Sequence, residues 1–411
     1  MKTKGSVLGG ILLIGGTCIG AGMLGLPVMT AAAGFFPTMG AFLFVWFFMT
    51  IAAFAYLEVS LRFKGEVNLI SIVETTLGPI PKWIAWIAYI LFLYSLMAAY
   101  TAGGTTNFAT LLHIPIDSSQ ASITMGLLFI VPFAFIVYLG TGTVDIVNRI
   151  LMSGLIATFL FLCGIFLSGA SGTQSHFYPF GDSKYLLFSF PLLVTSFGYH
   201  TLVPTLKSYL HEDIKKLRIV FMVGGLSPLI IYGIWEVIIF YLIPTWGDHG
   251  LVYMLHHQGS NPAEAMASAL SVHGSAIHLT VGWFSYFALT SSFIGVGLGI
   301  RDFFADGLHI KKNQLGSLIL TFLTFGPPLI YTIVYPRGFL FALKYAGIFA
   351  AILLIIYPVL MAWRARYVTK LDGKYKLWGG KPLLILTLIF GLFVVFADIL
   401  LRMGLLPIPY N

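Results

Sequence analysis

The sequence predicts an all-α integral membrane protein of about eleven transmembrane helices, and three observations predict it. Of 411 residues, 58% are hydrophobic and only 9% are charged, whereas a soluble domain carries roughly 25% charged residues. Apolar runs recur at about 20 residues, the length a helix needs to cross a bilayer. The runs lack the period-two alternation of a membrane barrel, which leaves the helix as the way to satisfy their backbone groups. Expected spans lie near 8–30, 36–61, 83–111, 121–139, 146–169, 185–209, 218–243, 276–300, 314–334, 339–363 and 382–405.

Span one follows Lys2 and Lys4, and Ala31, Ala32 and Ala33 imitate a signal-peptide cleavage site. Its glycine-rich run ending at Pro27 is unlike a signal core, so it is expected to stay as a span. Gly15, Gly16, Gly20, Gly22 and Gly25 weaken the helix, each by about 1 kcal/mol against alanine. Proline removes a backbone donor and crowds the preceding turn. Span six repeats the arrangement, with Gly198 at its centre and Pro204 beyond it. Both spans are therefore expected to be broken at membrane depth.

Span two carries Glu58 near one end, with Arg62 one turn on; Glu236 lies within span seven. Burial disfavours a bare carboxylate, so either is a candidate to bind a proton; the plain alternative for Glu58 is pairing with Arg62. Tyr94 and Tyr100 in span three are candidates to line a path, and Asn107 to hold helices together. Asp145 and Arg149 open span five, as a helix cap or as an ion-pair gate. Thr290, Ser291 and Ser292 in span eight either bond to their own helix or, with span-one carbonyls, form an oxygen cage. The segment 244–275 between spans seven and eight holds Asp248, His249, His256, His257 and Glu264, and its stretch 262–272 reads as a short surface helix. Those histidines have no metal-ligand pattern and are expected to be solvated. Cys18 and Cys163 fall in apolar runs, which argues against a disulfide framework.

Lysine and arginine set the orientation. With the N-terminus cytoplasmic, 19 of the 23 basic side chains fall on the inner side, and Lys184, Arg337, Lys344 and Arg402 on the outer. The formal charge of +8 is thus a topology signal rather than a nucleic-acid surface. The chain reads as one domain, 1–411, in which 8–169 and 185–363 form two five-span halves and 382–405 an added helix. Halves of five spans must run in opposite senses, and inverted repeats of that kind place a substrate at the midplane on broken helices.

A broken helix exposes backbone N–H and C=O groups at depth, tolerable only where they line a cavity or meet a ligand. The N-terminal end of the second half of span one suits a carboxylate, and the opposing carbonyls suit an ammonium group or a cation. An amino acid carries both charges. The candidate cradle is Thr17, Cys18, Gly20, Ala21 and Gly22, faced by Ser196, Phe197, Gly198, Tyr199 and His200. Phe197 or Tyr199 is placed to stack on an aromatic ring, and His200 to bond a phenol or carry a proton. The alternative throughout is helix packing through small and aromatic residues.

These residues resemble a known family. GTCIGAGMLGLP in span one is similar to the first-helix motif of the bacterial aromatic amino acid permeases. The resemblance continues in order through LEVSLR, AAYTAGG, VDIVNRILM, TSFGYHTLVPTLKSYL, ALTSSFIGVGLGIRDFFAD, YPRGF, ALKYAG and GGKP. It implies a LeuT-type fold with five-plus-five inverted repeats and an extra C-terminal helix. It also implies a proton symporter of the bacterial inner membrane, with its C-terminus periplasmic, that works as a monomer, needs no cofactor and takes tyrosine before tryptophan. Two positions depart from the family pattern: Cys18 stands where Thr or Met is common, and Tyr199 where Phe is common. Sodium coupling at Thr290, Ser291 and Ser292 stays the alternative to a proton on Glu58, His200 or Glu236. Substrate space would lie between spans one, three, six and eight, with Tyr100 and Ser291 on its walls and Asp145–Arg149 as the inner gate.

The chain has no HExxH, GxSxG or Walker A motif, which argues against an enzyme and against a self-contained ATP-driven pump. A channel would need a repeated filter or rings of charge. A sensor that binds an amino acid without moving it is the reading from another class that sequence leaves open.

Overall fold

The computed structural model describes residues 6–64, 67–115, 118–168, 177–248, 250–256, 266, 275–311, 313–335, 338–407 and 409, leaving aside the side chains of Ala21, Ser119, Thr141 and Asp306. Among the described residues every regular element is helical. In chain order they are α1 (Val7–Cys18), α2 (Ala21–Thr30), α3 (Phe35–Ser60), α4 (Leu69–Leu77), α5 (Pro79–Leu111), α6 (Ser119–Leu139), α7 (Thr141–Leu167), α8 (Phe190–Ser196), α9 (Val203–Tyr209), α10 (Ile214–Leu242), α11 (Leu251–His256), α12 (Ser275–Gly307), α13 (Gln314–Val334), α14 (Phe339–Ala350), α15 (Tyr357–Tyr367) and α16 (Gly380–Arg402). A π-helical stretch, Ala351–Ile356, joins α14 to α15. Lys2, Lys4, His249, His257, Glu264, Lys312 and Arg337 lie outside the described residues, as does the surface helix expected over 262–272, apart from Met266.

Nine of these helical stretches are long and apolar enough to cross a membrane, with α14–α15 taken as one, and the bent pair α1–α2 adds a tenth. The segment 185–209 is a chain of short pieces, a 3-10 turn at Ser183–Phe188 followed by α8 and α9. α4 falls in the gap between spans two and three, where no helix was expected. Its Asn68 cap accepts from the Ser71 amide. Ser6, Ser118, Asp213 and Asn313 cap α1, α6, α10 and α13 in the same way, each cap contributing about 1 kcal/mol.

The outer surface is apolar: Leu167 on α7 is 82% exposed and Phe322 on α13 is 74% exposed. Side chains of that kind need lipid as their solvent. Inside the bundle, α12 lies against α5 and α7, α14 against α5 and α8, and α1 against α10. The segment 178–182 crosses the far end of α2, held by main-chain bonds from Phe35 N to Tyr178 O (2.9 Å), Phe36 N to Pro179 O (3.0 Å), Gly181 N to Ala33 O (2.9 Å) and Asp182 N to Ala32 O (3.2 Å). Gly34 turns the chain there at φ +81°, and a Cβ on it would stand 2.6 Å from the Gly181 nitrogen. Glycine is required for both reasons.

Candidate functional site

Both expected breaks are present. α1 ends at Cys18, Ile19 and Gly20 take extended backbone, and α2 restarts at Ala21 with its axis turned by 55°. The second break covers Phe197 to Tyr199, between α8 and a short 3-10 turn at His200–Leu202 that leads into α9. The prolines act differently from the sequence expectation. Pro27 lies within α2, well past the break, while Pro204 sits in the first turn of α9, where its missing N–H costs nothing.

The breaks meet through a residue that sequence reasoning missed. The hydroxyl of Tyr232, on α10, donates to the Cys18 carbonyl (2.6 Å) and to the Ser196 carbonyl (2.8 Å). These are the C-terminal ends of α1 and α8. Tyr232 is fully buried, and its ring packs against Phe197 (5.3 Å) and Phe42 (6.2 Å). The signal available in the sequence was the pair Tyr232 and Glu236, polar groups one helical turn apart in an apolar run.

Glycines allow the close approaches around the breaks. A Cβ on Gly22 would stand 2.7 Å from the Ser196 Oγ, and one on Gly20 would run into the Ser292 Oγ. Span one's break thus touches both span six and span eight. No side chain caps the start of α2; the Met23 amide donates to the Gly20 carbonyl (3.1 Å), and the amides ahead of it have no side-chain acceptor and suit an anion. The Tyr100 hydroxyl lies beside Ser292. The Cys18 thiol lies near the Tyr199 and Tyr232 hydroxyls.

Other candidates face elsewhere. Phe197 is buried in the aromatic group with Phe42 and Tyr232, so it packs behind the break instead of offering a free ring. Tyr199 turns toward α3 and α10: it lies beside Thr50, and its hydroxyl donates to the Phe221 carbonyl at 3.4 Å. His200 is buried next to Tyr199, and neither ring nitrogen has a hydrogen-bond partner. Gly198 lies against Leu354 of the π-helical stretch. Thr17 is exposed and bonds to the Leu13 carbonyl at 2.8 Å, Ser291 to the Ala288 carbonyl at 3.2 Å. Both hydroxyls use the backbone of their own helix, which for Ser291 is the plain alternative. Thr290 is fully buried and its hydroxyl has no partner.

The acidic candidates separate cleanly. Glu58 is fully buried and saturated with donors: Arg62 Nη2 (2.8 Å), Arg366 Nε (2.7 Å) and Nη2, and the Leu377 amide (2.8 Å). It anchors α3 to α15 and to the 368–379 segment, so of the two readings of Glu58 the structure shows the pairing with Arg62, extended by Arg366. Nearby, the Lys207 ammonium of α9 donates to the carbonyls of Ser60 (2.8 Å) and Phe63 (2.5 Å) at the end of α3. Glu236 is also fully buried, yet neither oxygen has a partner. Its neighbour Thr30 donates to the Leu26 carbonyl at 2.9 Å. Asp145 and Arg149 pair at 2.8 Å within α7, with side chains 56% and 77% exposed. That pair is confined to one exposed helix face and bridges to no other element, and Asp145 does not cap α7 either, whose N-cap is Gly140 with no side-chain bond. Asp248 and His256 belong to no cluster of three metal-binding side chains among the described residues.

The family model described as the tryptophan/tyrosine permease family matches residues 3–398. The chain is 32% identical to the tyrosine-specific transport system 1 of Haemophilus influenzae, over 99% of this chain and 98% of that protein. It is 33% identical to the tryptophan-specific transport protein of Shigella flexneri, with the same coverage. It is 29% identical to the low affinity tryptophan permease of Proteus vulgaris, over 95% of this chain and 94% of that protein.

Proposed function

The chain belongs to the tryptophan/tyrosine permease family, and from that premise we propose that it imports tyrosine, with tryptophan as second substrate, by proton symport through alternating access. One observation carries the proposal: two membrane-depth helices are interrupted and their freed carbonyls converge on one point, beside an uncapped helix start. The substrate carboxylate binds the first amides of α2, favoured by the helix dipole. Its ammonium takes the remaining lone pairs of the Cys18 and Ser196 carbonyls, since each carbonyl oxygen has two. Tyr100 and Ser292 form the facing wall. Thr17, Ala21, Gly198, Tyr199 and His200 shape the space through backbone or from behind.

Glu236 carries the coupling proton. A bare carboxylate with no donor in an apolar interior is expensive, so the proton stays until the surroundings rewet. The alternative, sodium held by Thr290, Ser291 and Ser292, draws on the unpartnered Thr290 hydroxyl.

The remaining elements of the proposal are a LeuT-type plan of eleven spans, halves at 8–169 and 185–363, a final helix at 382–405, and a monomer in the bacterial inner membrane with a cytoplasmic N-terminus. Burial supports the alternating-access part. α2 is buried from Gly22 onward and α8 nearly throughout, while Thr201, Thr205 and Ser208 along the α9 side and Thr17 on α1 are exposed. That asymmetry fits a state closed at the α2/α8 end and open at the other. Proteoliposomes containing the purified chain test the function: labelled tyrosine accumulates when an inward proton gradient is imposed. Accumulation of neither amino acid under a proton or a sodium gradient defeats the proposal.

A further inference from the structure

We propose that the Tyr232 hydroxyl takes the place of a monovalent cation where the two broken helices meet, so that the substrate site is assembled without bound sodium. The inference deepens the transport reading above and rests on it. The C-termini of α1 and α8 both end at this point, and each carries about half a negative charge from its aligned peptide dipoles. Two such ends facing one spot repel each other unless a positive centre sits between them. The structure supplies one phenolic hydrogen, shared between Cys18 O at 2.6 Å and Ser196 O at 2.8 Å.

The hydroxyl cannot easily leave. Tyr232 is fully buried, Phe42 and Phe197 flank its ring, and α1 packs along α10. Tyr100 and Cys18 lie close by, but neither is a fixed positive charge. Tyr232→Phe keeps the ring and its packing. It leaves the two carbonyls facing a gap of one oxygen atom, which a small cation can enter.

The test measures binding of labelled tyrosine and tryptophan to purified wild type and Tyr232→Phe, in sodium chloride and in choline chloride. Wild-type affinity is expected to be the same in both salts. The variant is expected to bind at least about tenfold more weakly in choline, the size of one lost buried hydrogen bond, and to recover part of the loss in sodium. Equal weakness in both salts, or wild-type affinity in choline, overturns the inference. If the variant does not purify as a folded monodisperse species, sodium-dependent affinity of the wild type still overturns the inference. A wild type that binds neither amino acid in either salt defeats the transport reading itself, and this inference falls with it.

Discussion

Gly22 faces Ser196 across the two breaks with no room for a side chain. Gly22→Leu is therefore expected to abolish binding of tyrosine, at least a hundredfold in affinity, while the protein still reaches the membrane; radioligand binding beside a quantitative blot checks both halves. At Glu236 the expectation splits differently. Glu236→Gln keeps the shape and removes the exchangeable proton, so proton-driven uptake should fall by about a hundredfold or more, the lower end of what positioned proton-transfer groups contribute, while exchange of internal for external tyrosine persists. Equal loss of both activities counts against Glu236 as the proton site. The sequence made Gly22 legible because it belongs to a cluster of five glycines ahead of Pro27, and Glu236 because a carboxylate is rare in an apolar run. It did not disclose that Tyr232 ties the breaks, since an aromatic residue there carries no local mark, nor which way Tyr199 and His200 turn, since that depends on the path the chain takes through the break.

Elements are held at one end of the bundle by charge and at the breaks by backbone. Glu58 joins α3 to α15 through Arg366, a partner 308 positions away, so sequence showed only the neighbouring Arg62. Removing the carboxylate strands two guanidinium groups, one of them 2% and the other 6% exposed. Breaking one side of such a buried pair costs about 3–5 kcal/mol. Glu58→Gln should accordingly lower the unfolding temperature in detergent by several degrees, and an unchanged melting curve would contradict the anchor role. Asp145→Asn is the contrasting case. Its exposed pair with Arg149 is worth about 0.5 kcal/mol or less, so stability and transport should both stay at wild-type levels. Span positions were readable because length and apolarity are set by the bilayer. The small α4, the π-helical stretch and the division of 185–209 into short pieces were not, because each depends on what packs against it.

At the scale of the molecule, burial is uneven along the two broken spans: α2 and α8 are enclosed, and α1 and α9 have open faces. Thr205→Cys, placed in a Cys163→Ser background, should react with a membrane-impermeant thiol reagent added on the side of the N-terminus, while a cysteine at Val194 should not react from either side. Labelling of position 194 with no labelling of position 205 would reverse the assigned state. The native Cys18 is 5% exposed and adds little background.

The strap formed by 178–182 over the end of α2 has a consequence for turnover. It is fastened by peptide groups, so its grip does not depend on which side chains occupy it, Gly34 and Gly181 excepted. Parting it trades four chain-to-chain links for four links to water, a swap worth only about 0.5–1.5 kcal/mol apiece. Such a fastener holds firmly at rest yet costs only a few kcal/mol to part, so the opening that the proposed transport cycle asks of that end would need no chemical fuel of its own.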